Sequence, residues 1–235
     1  MSKLTQAELE HKSEVFINNG QLPQAQAVIG KVGCTALVLK SKAALLVEVQ
    51  NGHVVVPQAR QAQKHATDVE ALAKRAAQKE ITSLNDTCRT IYRDDEPTLT
   101  ALGLTTQYET KAGPEGQPSI QVAVRPSNAT SEVLKRWRSR LGVALELEES
   151  KAAALAEAGW EKTRLQAAQQ KVEAYAIADT EQQVALSSHQ RATGQHIGNV
   201  DALRTWYTTA AALSKRAIKD NDPDNHQQLL ELLGL

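Results

Sequence analysis

An all-α fold is predicted: two homologous helical-hairpin halves forming an elongated helical bundle, with a short β-hairpin-like connector between them. Three observations predict it. First, the chain repeats itself. Arg89-Thr90-Ile91 leads through Asp94, Asp95, Glu96 and Pro97 to Leu99 and Leu102-Gly103-Leu104, and Arg216-Ala217-Ile218 leads through Asp220, Asp222 and Pro223 to Leu229, Leu230, Leu232 and Leu233-Gly234-Leu235. The second copy carries extra residues between its proline and its ending; Asp68-Val69-Glu70-Ala71-Leu72 and Asn199-Val200-Asp201-Ala202-Leu203 match further, setting Val69 over Val200 and Leu72 over Leu203. Second, aromatics supply 3% of a chain that is 41% apolar, so the core is built from Ala, Leu, Val and Ile, which suits close helix packing better than a β-sandwich. Third, apolar residues recur in alternating steps of three and four, the spacing of helix seams.

The 27 basic and 27 acidic residues balance and intermix, so no net field draws the protein to nucleic acid or an anionic membrane, and neither is expected as a partner. Met1-Ser2-Lys3-Leu4-Thr5 lacks the pattern of a signal peptide, and the most apolar stretch, residues 28 to 49, is interrupted by Lys31, Lys40, Lys42 and Glu48. A soluble, cytoplasmic protein is expected, and with it free thiols at Cys34 and Cys88. In a hairpin turning near Gly52, Cys34 lies opposite residue 73, about 20 Å from Cys88 along the helix.

The first half spans residues 1–104. Gly20 ends a leading helix, and Leu22-Pro23 opens the next, proline being tolerated where the amide has no partner. Its seam is Leu22, Ala25, Ile29, Val32, Ala36, Leu39, Ala43 and Leu46, with Gly30-Lys31-Val32-Gly33 inside the helix. Val28, Leu37, Val38, Leu45, Val47 and Val49 widen the stripe beyond one partner helix, so this helix is expected inside a bundle or against another subunit. Gln50-Asn51-Gly52-His53 is read as a turn with His53 at its tip, and Pro57 as an early position of a new helix reaching Tyr92. That helix has the seam Ala62, Ala66, Val69, Ala73, Ala77, Ile81, Leu84, Cys88 and Ile91. The Asp94-Asp95-Glu96-Pro97 cluster ends it, and Leu99 to Leu104 folds back.

Residues 105–126 alternate around Gly113-Pro114 and Gly116-Gln117-Pro118, as in a small β-hairpin or an extended linker, the hairpin being preferred. The second half, 127–235, opens on Ser127, Asn128, Thr130 and Ser131, good capping residues. Leu134, Trp137, Leu141, Ala144 and Leu155 follow on one helical side. Gly159-Trp160 breaks the helix, and Leu165, Ala168, Val172 and Tyr175 begin a long one. A turn or kink is expected at Gly194 and Gly198, after which Val200, Leu203, Tyr207, Ala210, Ser214 and Ala217 resume the seam; in both halves the alternative is one very long rod running through the glycines at Gly52 and at Gly194 and Gly198. The Leu-rich tails ending in Leu-Gly-Leu resemble those of certain bacterial helical proteins of unknown function; the resemblance covers only the tails and the helix ends before them, and it implies a helical repeat architecture and no activity.

No set of residues dictates a chemistry. His189 and His196 share a helix face, but a zinc site needs three or four converging ligands. His11 sits between Glu8 and Glu14 as in ordinary helix-surface pairs. The carboxylates at Asp94, Asp95 and Glu96, and at Asp220, Asp222 and Asp224, lie in turns beside prolines and read as helix punctuation. Lys135-Arg136-Trp137-Arg138-Ser139-Arg140 mixes base and aromatic, yet on a helix Trp137 joins Leu134 and Leu141 while the arginines fan outward to a solvated face or an intersubunit salt-bridge row. Cys34 and Cys88 occupy seam-like or small-residue positions, so burial is expected over nucleophilic chemistry.

The function expected is structural: self-association into a homo-oligomer or filament, through Leu229, Leu230, Leu232, Leu233 and Leu235 of the tail and through Trp137. A helical adaptor that binds another protein's helix is the second reading, and an enzyme or metal protein the third. No cofactor is expected. The tail leucines must dock either on their own chain or on a neighbouring subunit, because burying each is worth about 1.5–3 kcal/mol.

Overall fold

The structure, a computed structural model, describes residues 4–111, 120–221 and 226–235. The described residues are predominantly helical, as predicted, with eight α-helices and one two-stranded hairpin. Before the hairpin come α1 (Gln6–Gly20), α2 (Pro23–Ile29), α3 (Ala36–Ile91) and α4 (Glu96–Ala101); after it come α5 (Thr130–Leu145), α6 (Glu149–Glu157), α7 (Lys162–Asn221) and α8 (His226–Leu232). Strands β1 (Tyr108–Lys111) and β2 (Ile120–Ala123) are antiparallel, with Tyr108 opposite Ala123, as the hairpin reading predicts. The glycines and prolines of its loop lie outside the described residues, as do Asp222, Pro223 and Asp224.

The helical-hairpin halves are corrected. α3 runs unbroken for 56 residues through Gly52 and Pro57, and α7 for 60 through Gly194 and Gly198, so each half holds one long helix and no hairpin. Breaker signals are local: a helix-interior glycine costs about 1 kcal/mol and a proline about 3 kcal/mol. Upstream in α3, Leu39, Leu46 and Val49 are buried, and such leucines and valines contribute about 1.5–3 kcal/mol each. Burial outweighs the breakers. His53, read as a turn residue, is mid-helix.

The helix expected from Leu22 to Val49 breaks instead at Gly30–Val32, a 3-10 turn that ends on Gly33 in the left-handed region at φ 87°. The Cys34 amide bonds the Ile29 carbonyl at 3.1 Å and the Gly33 amide that of Gly30 at 3.3 Å, which satisfies the carbonyls a helix end leaves free. Gly159, at φ 83°, ends α6 with the same pair of bonds, from Trp160 to Leu155 and from Gly159 to Ala156, as the Gly159-Trp160 break predicts. α5 starts without a side-chain cap despite the serines and threonine around it, its N-cap being Ala129. The strong cap belongs to α1, where Thr5 and Glu8 form a reciprocal capping box.

The chain forms two compact units, and each draws on both halves of the sequence: Met1–Gln63 with Ala185–Leu235, and Lys64–Val184. In the first, Leu9, Phe16, Ile17 and Ile29 of the short helices pack with Leu39, Leu46 and Val49 of α3 and with Leu203, Tyr207 and Ile218 of α7. Phe16 meets Trp206 and Tyr207 edge-on, with centroids 5.9 Å and 6.1 Å away. In the second, Ala77, Ile81, Leu84, Cys88 and Leu102 pack with Leu134, Leu141, Leu155, Trp160, Val172 and Tyr175.

Most of the predicted seams are buried, including Ile29, Leu39, Leu46 and every seam residue from Val200 to Ala217, but Leu22, Ala36, Ala62 and Val69 are exposed. Leu72 is 64% exposed where Leu203 is fully buried, so the two residues stand in different environments.

Candidate interaction surfaces

The tail leucines sit on their own chain. Leu229 and Leu233 are buried in the first unit's core, with Leu230, Leu232 and Leu235 packed around them. Asn19 Nδ2 of α1 donates to the Leu232 carbonyl at 2.7 Å. The Leu235 amide closes back on the Leu230 carbonyl at 2.9 Å, a turn that Gly234 permits at φ 65°. In the second unit Leu104 closes on Leu99 at 2.8 Å around Gly103 at φ 64°. Trp137 is half-buried against Tyr175, with centroids 5.9 Å apart.

Two arginines of the basic run bind within the second unit, while Lys135 stays exposed as a solvated face would have it. Arg138 forks onto Glu173 through Nε at 2.8 Å and Nη2 at 2.5 Å. Arg140 donates to the carbonyls of Leu102 at 2.8 Å and Gly103 at 2.9 Å and to Asn85 Oδ1 at 2.8 Å, filling acceptors that the end of α4 leaves open.

The acidic cluster does punctuate, as expected. Asp95 caps α4, accepting from the Thr98 amide at 3.1 Å and hydroxyl at 2.7 Å, and it pairs with Lys151 at 2.9 Å. Hydrogen bonds from Lys151 and then Thr98 hold its carboxyl down at about 2. Burial pushes the Tyr92 phenol up to about 12, and its hydroxyl donates to the Lys151 carbonyl at 2.7 Å.

Both cysteines are free and buried. Burial raises both thiols, Cys88 to about 11, which makes them poor nucleophiles.

A polar line that the sequence reading missed crosses the first unit. His53 Nε2 lies 2.9 Å from Glu10 Oε1; Gln6 Nε2 lies 3.0 Å from the same oxygen and 3.3 Å from His196 Nε2. With the Gln6 amide as donor, His196 Nε2 accepts and the ring proton sits on Nδ1, which is buried without a partner and faces Gly52. Beside it a cavity of about 220 Å³ is lined by Glu48, Asn51, Gly52, Val55, Ala192, Gln195, His196 and Asn199. Among the described residues no three His, Cys, Asp or Glu side chains are placed to hold a metal ion, and no helix is long and apolar enough to cross a membrane.

The widened stripe of α3 divides. Val49 is buried inward, whereas Leu37 is 79% exposed, Val47 53% and Val54 57%. With exposed Lys40, Ala44 and Asn51 these residues form a second seam along the outward side of α3 in the first unit, again in steps of three and four. The signal was present in the sequence at Leu37 and Val47, but reading Asn51 as a turn cut the stripe short. No protein-family model, curated protein or solved structure matches the chain.

Proposed function

We propose that the protein is structural, a cytoplasmic self-associating helical scaffold that builds a homo-oligomer. One observation carries this reading: α3 presents Leu37, Val47 and Val54 to water at helix-seam spacing on the side away from its own core. Burying side chains of this kind contributes about 1.5–3 kcal/mol each, enough for a concentration-dependent assembly. Self-association is assigned to α3 because the tail leucines and Trp137 are already packed within their own chain.

The two halves are read as homologous, at a register shifted from the one the tails imply. Helix lengths run 15, 7, 56 and 6 residues before the hairpin and 16, 9, 60 and 7 after it. Left-handed Gly33 and Gly159 are 126 residues apart, and so are the buried pairs Leu39 and Leu165, Leu46 and Val172, Ala77 and Leu203, Ile81 and Tyr207, and Cys88 and Ser214. The tails, Leu102 and Leu233, are 131 apart, which accounts for the misplaced match at Val69 and Leu72.

The test is molar mass by light scattering across a concentration series, for the natural protein and for Val54→Asp. Mass that grows with concentration and falls back to that of one chain in the variant supports the reading. A strict monomer at every concentration overturns it and leaves the adaptor, in which the same stripe takes another protein's helix.

A further inference from the structure

We infer that the outward stripe of α3 pairs with the same stripe of a second copy, antiparallel, about a twofold axis passing between Ala44 and Val47. This rests on the self-association reading and adds to it the partner, the direction and the register. The stripe is Leu37, Lys40, Ala44, Val47, Asn51 and Val54, all exposed. Its steps run three, four, three, four, three, a sequence that is the same from either end. Laid against its own reverse, Leu37 meets Val54 of the second copy, Lys40 meets Asn51, and Ala44 meets Val47. Apolar meets apolar and polar meets polar at every level, which is what an isologous interface requires.

Other arrangements lose that match. A parallel pair in register sets Lys40 on Lys40, a like-charge contact at a seam position. An antiparallel pair slipped by one heptad in one direction buries Lys40 against Ala44, and in the other it sets Leu37 against Gln61.

Charge favours the centred register as well. Lys40 makes no ion pair with any of the described residues. Glu48 stands on the edge of the stripe one turn before Asn51, exposed, with its Oε2 accepting from Asn199 Nδ2 at 3.1 Å. Lys40 of the second copy, lying over Asn51, is brought beside that carboxylate, and the symmetry repeats the pair at the other end. Opposite charges at the flanks of a seam set orientation and partner choice.

The stripe occurs once per chain. At the same register in the second half stand Thr163, Gln166, Gln170, Glu173, Ile177 and Thr180, largely polar. A single self-complementary face closes on itself, so the assembly is a dimer and not a filament.

Two measurements on the full chain test the proposal. Lys40→Glu and Glu48→Lys should each weaken dimerisation by about tenfold in sedimentation, and the double variant should recover most of that loss. Within one chain the two residues are eight apart and cannot compensate each other. For the register, chains carrying Ala44→Cys and Val47→Cys are mixed and oxidised: the mixture should cross-link, and neither variant alone should.

A Val47→Cys chain that cross-links to itself overturns the antiparallel register while leaving self-association through the stripe standing. A dimer unmoved by both charge reversals and by Leu37→Asp overturns the stripe as the interface and leaves self-association to another surface. A natural protein that is monomeric throughout overturns both readings together. All these positions are exposed, so a melting curve matching the natural protein's shows that each variant is folded.

Discussion

Gly52 and His196 fit together so closely that a methyl group on residue 52 would lie 1.9 Å from the imidazole Nδ1. The glycine is therefore a seat for the histidine ring, and the absence of a side chain there is what lets the ring reach both the helix and the Gln6 amide.

Alanine at the three mid-helix glycines should consequently act with opposite signs. Gly52→Ala forces the ring away from Gln6 and should destabilise the protein by about 1–3 kcal/mol, in spite of alanine's higher helix propensity. Gly194 and Gly198 are exposed with nothing within 4 Å of the position of a methyl group, so alanine at each should stabilise by about 0.5–1 kcal/mol. Thermal melts of the three variants compare the signs directly.

Leu233 is fully buried in the first unit's core, and Leu233→Ala should cost about 2–5 kcal/mol. Removing residues 226–235 should lower the melting temperature and leave the concentration dependence of molar mass intact. A truncated chain that stays folded but no longer associates would return self-association to the tail.

Asp95 links acid stability to the capping of α4. Its carboxyl titrates at about 2 in the fold against an ordinary 3.8, so the stabilisation from its ionised form is complete above pH 3.8 and is lost as pH falls toward 2. Asp95→Asn should flatten that part of the acid limb in denaturation midpoints measured against pH.

Cys88 sets the alkaline counterpart. Burial raises its thiol to about 11 from an ordinary 9, so the unfolded chain ionises first and stability falls between those two values. Cys88→Ala should shrink that decline in the same midpoint measurement. In the folded protein, labelling of Cys88 by a soluble thiol reagent should proceed only at the rate of local opening.

Helix content, the hairpin connector, the buried seams of α7 and the Leu-Gly-Leu endings were legible because each rests on local periodicity or on a glycine that must turn left-handed. The lengths of α3 and α7 were not. Gly52, Gly194, Gly198 and Pro57 all carry breaker chemistry, and what overrides it is burial of neighbours such as Leu46, Val49 and Leu203 against partners distant in sequence. Gly33 and Gly52 look alike in the sequence, yet one ends a helix and the other admits a partner side chain. The His53, Glu10, Gln6 and His196 line was equally hidden, since it joins residues up to 190 positions apart.

The division of the chain between its two units also orders its birth. Lys64–Val184 is one continuous stretch, so its core can close once that stretch has been synthesised, with α5 and α6 arriving to cover the end of α3. The other unit joins Met1–Gln63 to Ala185–Leu235, and its core includes Leu233. The apolar faces of α1 and α2, with Leu9, Phe16 and Ile29, are therefore fully covered only once Ala185–Leu235 has been made, well after Met1–Gln63.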